Sequence, residues 1–209
     1  MKAALFINGQ PPNFFIDLAQ YDLIHCTDGA INYLTQKGIK ADIISGDFDS
    51  IETPKLSYTH ELISTPDQDF TDFEKALAIL SERGVSTVHV YGTSGKQQDH
   101  FLGNLTAAYR FFDQMTILMF DDFGYYFFAE KNLELSGYKD RTISLYPFPV
   151  AEKVHTEGLK YPLILEDLDI HKRIGIRNKV IENLVKISYE KGALLVFILN
   201  NLSLIHISE

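Results

Sequence analysis

Aspartate side chains gather in four short segments of the chain, each directly after an apolar run. The seven aspartates concerned are Asp28, Asp47, Asp49, Asp67, Asp69, Asp72 and Asp99. Carboxylates held close together raise one another's pKa unless a cation neutralises them. Oxygen ligands without His or Cys suit Mg²⁺, which is usually bound by a few carboxylates, water and substrate phosphate. The pattern therefore indicates a cation site that binds an anionic polyphosphate.

A predicted alternation of strands and helices places these segments. Apolar runs predict strands at Ala3–Asn8, Leu23–Thr27, Asp42–Ser45, Glu61–Ser64, Val85–Tyr91 and Thr116–Asp121. Helices are predicted at Asn13–Gln20, Ala30–Lys37, Thr71–Arg83 and His100–Phe112. This alternation indicates an α/β domain with a mostly parallel sheet in a Rossmann-like, three-layer arrangement. Loops that follow parallel strands share one edge of the sheet, so we expect the four segments to converge there.

A single segment of this kind is more typical of turn or helix-cap chemistry than of a site. Asp67 and Asp69 lie in a turn-like sequence, and Thr71 is an ordinary N-cap residue before an apolar run. What favours a functional site is the occurrence of four acidic loops at the ends of successive predicted strands.

The pattern of apolar and turn-forming residues changes at about Phe123. Short aromatic and β-branched runs, separated by Gly and Pro, predict strands at Tyr125–Ala129, Arg141–Tyr146, Val154–Thr156, Lys186–Tyr189 and Leu194–Leu199. Such a pattern is typical of an all-β sandwich. We therefore predict two domains, an α/β domain over residues 1–122 and a β-sandwich domain over residues 123–209.

The net charge of −9 belongs entirely to the first predicted domain, which holds 17 acidic and 8 basic side chains, whereas residues 123–209 hold 11 of each. Such a balance argues against nucleic acid or an anionic membrane as a partner. The single cysteine, Cys26, excludes an internal disulfide and a multi-cysteine zinc site. The first apolar run is too short for a signal peptide and no segment has the length of a membrane span, so we expect a cytoplasmic protein.

Four motifs in this order resemble the thiamin pyrophosphokinase family. They are Asp28–Asn32, Gly46–Ser50, Asp67–Leu77 and Asp99–Leu105, and Gly158–Leu163 adds a fifth similarity in the second domain. The resemblance implies transfer of the terminal diphosphate of Mg-ATP to the hydroxyl of thiamin, giving thiamin diphosphate and AMP. It also implies an ATP-binding N-terminal domain, a thiamin-binding C-terminal domain, and a homodimer with active sites between the subunits.

The resemblance further implies roles for individual residues. Asp47, Asp49 and Asp72 would bind Mg²⁺, and the same three with Asp99 would be catalytic. The residues that would contact ATP are Asp28, Asn32, Gln68, Thr71, Lys96 and Asp99. Those that would contact the acceptor substrate are Arg177 and Asn178.

Three segments depart from the family pattern. The mildest departure is in the first motif, where the usual Ala-Asp-Gly-Gly-Ala-Asn reads Thr27-Asp28-Gly29-Ala30-Ile31-Asn32. The usual Gly-Gly-Arg reads Gly95-Lys96-Gln97, so we expect Lys96 to supply the phosphate-facing charge, as a point charge rather than a bidentate fork. The usual Gly-x-Ser-Asn reads Gly175-Ile176-Arg177-Asn178, which places a cation where cationic thiamin would bind.

Two alternative functions stay open. One is an Asp-x-Asp nucleotide-dependent transferase that acts on another acceptor. The other, motivated by Gln97 and Arg177, is a catalytically impaired relative that binds thiamin or nucleotide without turnover.

Overall fold

The computed structural model describes residues 1–48 and 61–200. The chain divides into two compact units, Met1–Asp122 and Phe123–Glu209. Asp49, a predicted metal ligand, lies outside the described residues. Within the described ranges, no helix is both long and apolar enough to cross a membrane.

A parallel sheet forms the centre of the first unit. Its described strands are β1 (Lys2–Phe6), β2 (Leu23–Thr27), β3 (Ile43–Gly46), β4 (Glu61–Ser64), β5 (Thr87–Tyr91) and β6 (Thr116–Asp121). The spatial order is β4-β3-β2-β1-β5-β6, with parallel pairing throughout these strands. The parallel sheet predicted from strand–helix alternation is therefore present.

Strand β1 lies in the middle of this sheet. Its four consecutive residues Ala3–Phe6 are fully buried, so both faces of the strand are covered by other parts of the unit. The chain runs outward from β1 to β4 and then returns to place β5 on the other side of β1. The order of the strands reverses between β1 and β5, and the loops that follow these two strands diverge at that point.

The α-helices of the first unit, within its described residues, are α1 (Ile31–Gln36), α2 (Asp72–Glu82) and α3 (Gln98–Phe111). Helix α2 begins at its predicted cap, because Thr71 Oγ1 accepts a hydrogen bond of 3.2 Å from the backbone N–H of Glu74. Its predicted apolar face is buried, comprising Phe73, Ala76, Leu77 and Leu80. These four positions are three or four residues apart or adjacent in the pattern of one helix face, as expected for an amphipathic helix.

The helix predicted at Asn13–Gln20 is wrong: only a 3₁₀ turn at Leu18–Gln20 forms there. The backbone and side-chain amides of Asn13 donate to the Asp122 carboxylate at 2.6 and 2.8 Å. The Phe15 ring packs edge-on against Phe6 and Tyr91, with centroid distances of 5.4 and 5.1 Å. These contacts with distant residues favour an irregular segment over the local helical pattern.

The second unit consists of antiparallel strands. They are β7 (Gly124–Phe128), β8 (Asn132–Ser136), β9 (Thr142–Glu157), β10 (Glu166–Asp169), β11 (Gly175–Lys179), β12 (Leu184–Ser188) and β13 (Lys191–Leu199). Strand β13 pairs with β7 and β9, whereas β12 pairs with β8 and with the end of β9. Strands β10 and β11 also pair with β9, which makes β9 the organising strand of this unit.

The second unit corrects the sequence prediction in two respects. First, the runs predicted as separate strands at Arg141–Tyr146 and Val154–Thr156 belong to one strand of 16 residues, β9, which continues through Pro147 and Pro149. The register of β13 against β9 shifts here, because Gly192 faces Ala151 whereas Leu194 faces Pro147. The extra residues lie on β9 itself and include Pro149, which cannot donate a hydrogen bond to the ladder.

Second, β8, β10 and β11 were not predicted. Strand β10, for example, reads Glu-Asp-Leu-Asp and has low intrinsic strand preference. It forms because it pairs with β9, a partner that no local pattern reveals.

Two histidines are buried in the first unit. His25 Nε2 lies 2.8 Å from Ser45 Oγ, and burial lowers the pKa of His25 to about 3. His89 Nδ1 lies 2.8 Å from the Tyr21 hydroxyl, and burial lowers the pKa of His89 to about 4. Both side chains are therefore neutral in the folded protein at neutral pH.

We predict that this burial makes the protein sensitive to mild acid. The unfolded chain, with histidine pKa values near 6.5, binds more protons than the folded chain below that pH. The free energy of unfolding is therefore highest above about pH 6.5 and falls as the pH drops towards the folded pKa values, by roughly 2 kcal/mol per histidine between pH 7 and 5. Urea denaturation at both pH values measures this loss.

His89→Phe keeps an aromatic ring but removes one titrating group, so it should weaken the pH dependence. Substitution of the exposed His171 by Gln is the matched control and should leave the dependence as in the wild type. An equal pH dependence of the free energy of unfolding in the wild type and in His89→Phe would contradict the role given to His89.

Candidate functional site

A cavity of about 570 Å³ opens in the first unit where the loops after β1, β3, β4 and β5 meet. Six of the residues singled out from the sequence line it: Asp47, Gln68, Thr71, Asp72, Lys96 and Asp99. A second cavity, of about 390 Å³, shares Asn8, Gly9 and Lys96 with the first and is also lined by Asn32. The predicted convergence of the acidic loops thus occurs on the side of the sheet where the strand order reverses.

Two glycines allow the loops after β1 and β5 to approach closely. A Cβ atom at Gly9 would collide with the carbonyl group of Gly92, and Gly92 itself has a φ of +87°, a conformation that favours glycine. The backbone N–H of Gln10 donates to the Ser94 carbonyl at 2.8 Å. These contacts join the two loops at the rim of the first cavity.

Asp28 follows β2 and is almost fully buried. Its Oδ1 accepts a hydrogen bond from the backbone N–H of Gly29 at 2.6 Å, and its Oδ2 accepts one from Phe48 at 3.2 Å. Burial raises the pKa of Asp28, and the nearby charges of Asp72 and Asp47 act in the same direction, whereas the two backbone hydrogen bonds lower it. The three carboxylates are therefore close enough to interact electrostatically.

The position of Asp28 makes it a support for the acidic loop. Among the described residues, it is not one of those lining either cavity. Its hydrogen bond to Phe48 holds the backbone next to Asp47. Gly46 is required beside it, because a Cβ atom at that position would collide with the Asp28 carboxylate.

Asp72 occupies the first turn of α2, where a negative charge is favoured by the helix dipole. Its Oδ1 lies 2.9 Å from Lys75 Nζ. In the preceding loop, Asp67 Oδ1 accepts a hydrogen bond of 2.8 Å from the backbone N–H of Asp69. Asp67 therefore performs the turn chemistry that was the alternative interpretation of this segment.

The loop after β5 carries Lys96 and leads into α3. Lys96 Nζ donates to Asn8 Oδ1 at 2.9 Å, so this ammonium lies between the two cavities. Asp99 is in the first turn of α3 and accepts a hydrogen bond of 2.9 Å from the backbone N–H of His100. Asn104 Nδ2 donates to the Thr93 carbonyl at 2.9 Å and attaches the loop to the helix.

The donor atoms of the first cavity fit Mg²⁺ in kind. Asp47 and Asp72 offer hard carboxylate oxygens, and Mg²⁺ characteristically completes its coordination with water and substrate phosphate. Within residues 1–48 and 61–200, no three His, Cys, Asp or Glu side chains form a group that could hold a metal by themselves. The described donors would thus hold the ion together with a phosphate-bearing ligand.

In the second unit, Asn178 joins the two motifs that resembled the family. Its Oδ1 accepts from the backbone N–H of Tyr161 at 3.1 Å, and its Nδ2 donates to the Tyr161 carbonyl at 2.7 Å. Neighbouring Arg177 has a φ of +58° and donates its backbone N–H to Ser144 Oγ at 2.9 Å. The irregular pairing of β11 with β9 between Gly175 and Asn178 accommodates this conformation.

Sequence reasoning missed several residues that line or support the first cavity, among them Asn8, Gly9, Lys75 and Asn104. Asn8 and Gly9 come two and three residues after the end of β1, and polar or small residues just beyond a central parallel strand were a usable signal. Lys75 and Asn104 lie on helices, within the motifs Asp67–Leu77 and Asp99–Leu105, but no role was assigned to them. Their contacts with loops become visible only in the folded chain.

Comparison with known proteins gives two family matches. The model of the thiamin pyrophosphokinase catalytic domain matches residues 17–120. The model of the thiamin pyrophosphokinase vitamin B1 binding domain matches residues 130–194. The first match contains the lining residues of the first cavity apart from Ile7, Asn8 and Gly9, and the second contains Arg177 and Asn178.

Individual relatives agree with these matches. The chain is 28% identical to thiamine pyrophosphokinase of Bacillus subtilis, over 94% of this chain and 98% of the relative. It is 27% identical to thiamin pyrophosphokinase 1 of Caenorhabditis elegans, over 86% of this chain and 82% of the relative.

Solved structures share the fold. The crystal structure of the Bacillus subtilis thiamine pyrophosphokinase has a TM-score of 0.82 at 24% identity, covering 96% of this chain and all of the other. The structure of thiamin pyrophosphokinase from Geobacillus thermodenitrificans has a TM-score of 0.83 at 22% identity, covering 97% and 99%. With both domain models matched in the same order, the chain belongs to the thiamin pyrophosphokinase family.

Proposed function

We propose that the protein is a diphosphotransferase that moves the terminal diphosphate of ATP to the hydroxyl of thiamin and releases AMP. The observation that carries this proposal is that Asp47, Asp72, Asp99 and Lys96, all within the matched catalytic domain, meet around one cavity. Carboxylates for a cation and an ammonium for phosphate are the groups that such a transfer requires.

The reaction forms a bond between the thiamin hydroxyl oxygen and the β-phosphorus of ATP. It breaks the bond from that phosphorus to the bridging oxygen that stays with AMP. Bound Mg²⁺ would neutralise the charge that develops on the phosphoryl oxygens. We propose Asp47, Asp49 and Asp72 as its ligands, and Asp99 as a further catalytic carboxylate. One carboxylate of this group accepts the hydroxyl proton.

The nucleotide is proposed to extend over both cavities. Lys96, which lines both, would contact the phosphates, and Asn32 in the second cavity would contact the nucleoside part. Gln68 and Thr71 line the first cavity; the Thr71 oxygen already accepts from Glu74, so its hydroxyl proton is available to donate to ATP. Asp28 would act through the loop that it holds next to Asp47.

The acceptor is proposed to contact the second unit. Its match to a vitamin B1 binding domain supports thiamin as that acceptor. Asn178 would shape the site by holding the backbone of Tyr161. Because thiamin is a cation, we expect the Arg177 guanidinium to turn away from its charged ring.

We further propose that the α/β unit is a Rossmann-like, three-layer domain and the second unit a β-sandwich, that two copies assemble with active sites between them, and that the enzyme is cytoplasmic. Support for the homodimer comes from exposed aliphatic side chains around β10 and β11, namely Ile164, Leu165, Ile170, Ile174 and Ile176. Clustered exposed aliphatic residues of this kind often mark a protein interface.

The first prediction tests the carboxylates. With Mg-ATP and thiamin, the wild type should form thiamin diphosphate and AMP in equal amounts, resolved by chromatography. Asp47→Asn and Asp72→Asn remove a charge that neutralises the transferring group, and each should lower kcat by about 10²-fold or more. The exposed Asp113→Asn is the matched control and should retain wild-type turnover.

The products also separate the alternative functions. A diphosphorylated compound other than thiamin diphosphate, formed only with another acceptor, would favour the Asp-x-Asp transferase. Thiamin binding without AMP release would favour the impaired relative. Undiminished turnover in both aspartate variants would refute the assignment of these carboxylates.

The second prediction concerns Lys96. If its ammonium contacts phosphate, Lys96→Ala should raise the KM for ATP about tenfold, the equivalent of one charge-assisted hydrogen bond, and leave the KM for thiamin nearly unchanged. Steady-state kinetics with each substrate varied in turn measure both constants. Lys40→Ala, at an exposed position, serves as control. Equal changes in both constants would remove Lys96 from the phosphate site.

The third prediction concerns assembly. Sedimentation of the wild type should show a dimer. The Ile176 side chain is 54% exposed in the single chain. Ile176→Glu should shift the equilibrium towards the monomer, because it would bury a charge at the interface. Glu182→Gln, on the exposed surface of the same unit, provides the control. A monomeric wild type would contradict the proposed assembly.

A further inference from the structure

Lys75 lies on α2, one turn after Asp72, and its ammonium contacts the protein itself. Lys75 Nζ is 2.9 Å from each of three acceptors: the carbonyl oxygens of Thr65 and Asp67, and Oδ1 of Asp72. Only 12% of the side chain is exposed. An ammonium group has three N–H donors, so these contacts occupy all of them.

This arrangement differs from that of Lys96, the other lysine that lines the first cavity. Lys96 contacts the neutral Asn8 amide oxygen, which leaves donors for a ligand. Lys75 would have to give up a carbonyl or the Asp72 carboxylate to bind a phosphate. The two lysines therefore have different roles, although both are at the same cavity.

We propose that Lys75 is a positioning residue that fastens the loop of residues 65–71 to the start of α2 and holds the Asp72 carboxylate in place. It makes no contact with ATP or thiamin. The part of this inference that concerns the action of Asp72 on Mg-ATP rests on the proposed function. The placement of the loop itself does not depend on that function.

The need for such a residue follows from the geometry of the loop. The loop carries Gln68 and Thr71, and the Asp72 side chain that follows it is about half exposed. An exposed aspartate without a fixed partner samples several rotamers, and ordering it when the ligand arrives would cost free energy. The ammonium fixes the carboxylate and the loop backbone through the same atom, so both are ordered before a ligand binds.

The charge of Lys75 also offsets repulsion. The negative charges of Asp72 and Asp47 both act on Asp28. An ammonium 2.9 Å from Asp72 reduces the net negative charge at this edge of the sheet. A neutral side chain of similar length would fill the same space but would lack both the charge and the three donors.

The experiment compares Lys75→Met with Arg110→Met. Arg110 lies on α3 and pairs at 2.7 Å with Glu74, the residue before Lys75 on α2, so its substitution removes a cation that is paired with the same helix and serves as a matched control. The first readout is hydrogen exchange of the backbone amides of residue 65 and residues 67–71 in metal-free protein, since Pro66 has no amide hydrogen. Thr65 and Asp69 are direct reporters, because their N–H groups are hydrogen-bonded to Gly46 O and Asp67 Oδ1.

We expect faster exchange at these amides in Lys75→Met and unchanged exchange in Arg110→Met. In steady-state kinetics, kcat of Lys75→Met should fall about 10- to 100-fold, as when a residue that orients a metal ligand is removed. The KM for thiamin should stay within about twofold of the wild type, since a tenfold change would correspond to a lost contact. In Lys75→Ala, ethylammonium should restore part of kcat, and tetramethylammonium, which has no N–H donor, should not.

An increased KM for ATP with unchanged kcat and unchanged exchange would show that Lys75 binds phosphate, and would overturn the proposal. If Lys75→Met does not fold, Lys75→Arg is measured in the same way. Its planar guanidinium cannot centre on three converging acceptors, so exchange should still be faster, and wild-type exchange with wild-type kcat would overturn the proposal. Absence of thiamin turnover in the wild type would refute the proposed function alone, because the exchange comparison tests Lys75 without substrate.

Discussion

Repulsion between carboxylates at one edge of a parallel sheet is the constraint on which the rest of this structure depends. Asp28, Asp47 and Asp72 come from different loops yet interact electrostatically. Backbone N–H groups of Gly29 and Phe48 stabilise the buried Asp28, and the helix dipole together with Lys75 stabilises Asp72. These contacts offset part of the repulsion between the three carboxylates.

The strand order provides the place where these groups meet. Because β1 is flanked by β2 on one side and β5 on the other, the loops that follow it and β5 open a cavity at the reversal. Gly9 and Gly92 let the loop backbones approach one another at its rim. Three carboxylates of the first unit, those of Asp47, Asp72 and Asp99, thus line one cavity together with Lys75 and Lys96, a set suited to a polyphosphate that arrives with a cation.

Local sequence patterns were reliable where an element forms from its own residues. The Thr71–Glu74 cap and the apolar spacing of α2 predicted that helix to within a residue at each end. They failed where distant residues decide the conformation. Asn13 and Phe15 are held by Asp122, Phe6 and Tyr91 in a segment with a helical pattern, and β10 exists because β9 pairs with it. Pairing of this kind leaves no mark in a short window of sequence.

The sequence by itself determined the kind of chemistry, because seven aspartates after apolar runs and the order of their motifs are properties of the chain alone. The tertiary structure decided which role each of these side chains has. It placed Asp47, Asp72 and Asp99 at one cavity, Asp28 in a supporting position and Asp67 in a turn. It also gave the Lys75 ammonium three acceptors, one of them a carboxylate, and the Lys96 ammonium one neutral amide oxygen. The charge and the spacing of the two lysines in the sequence do not predict this difference. The physical reason is that a donor's role depends on which acceptors the fold brings within hydrogen-bonding distance.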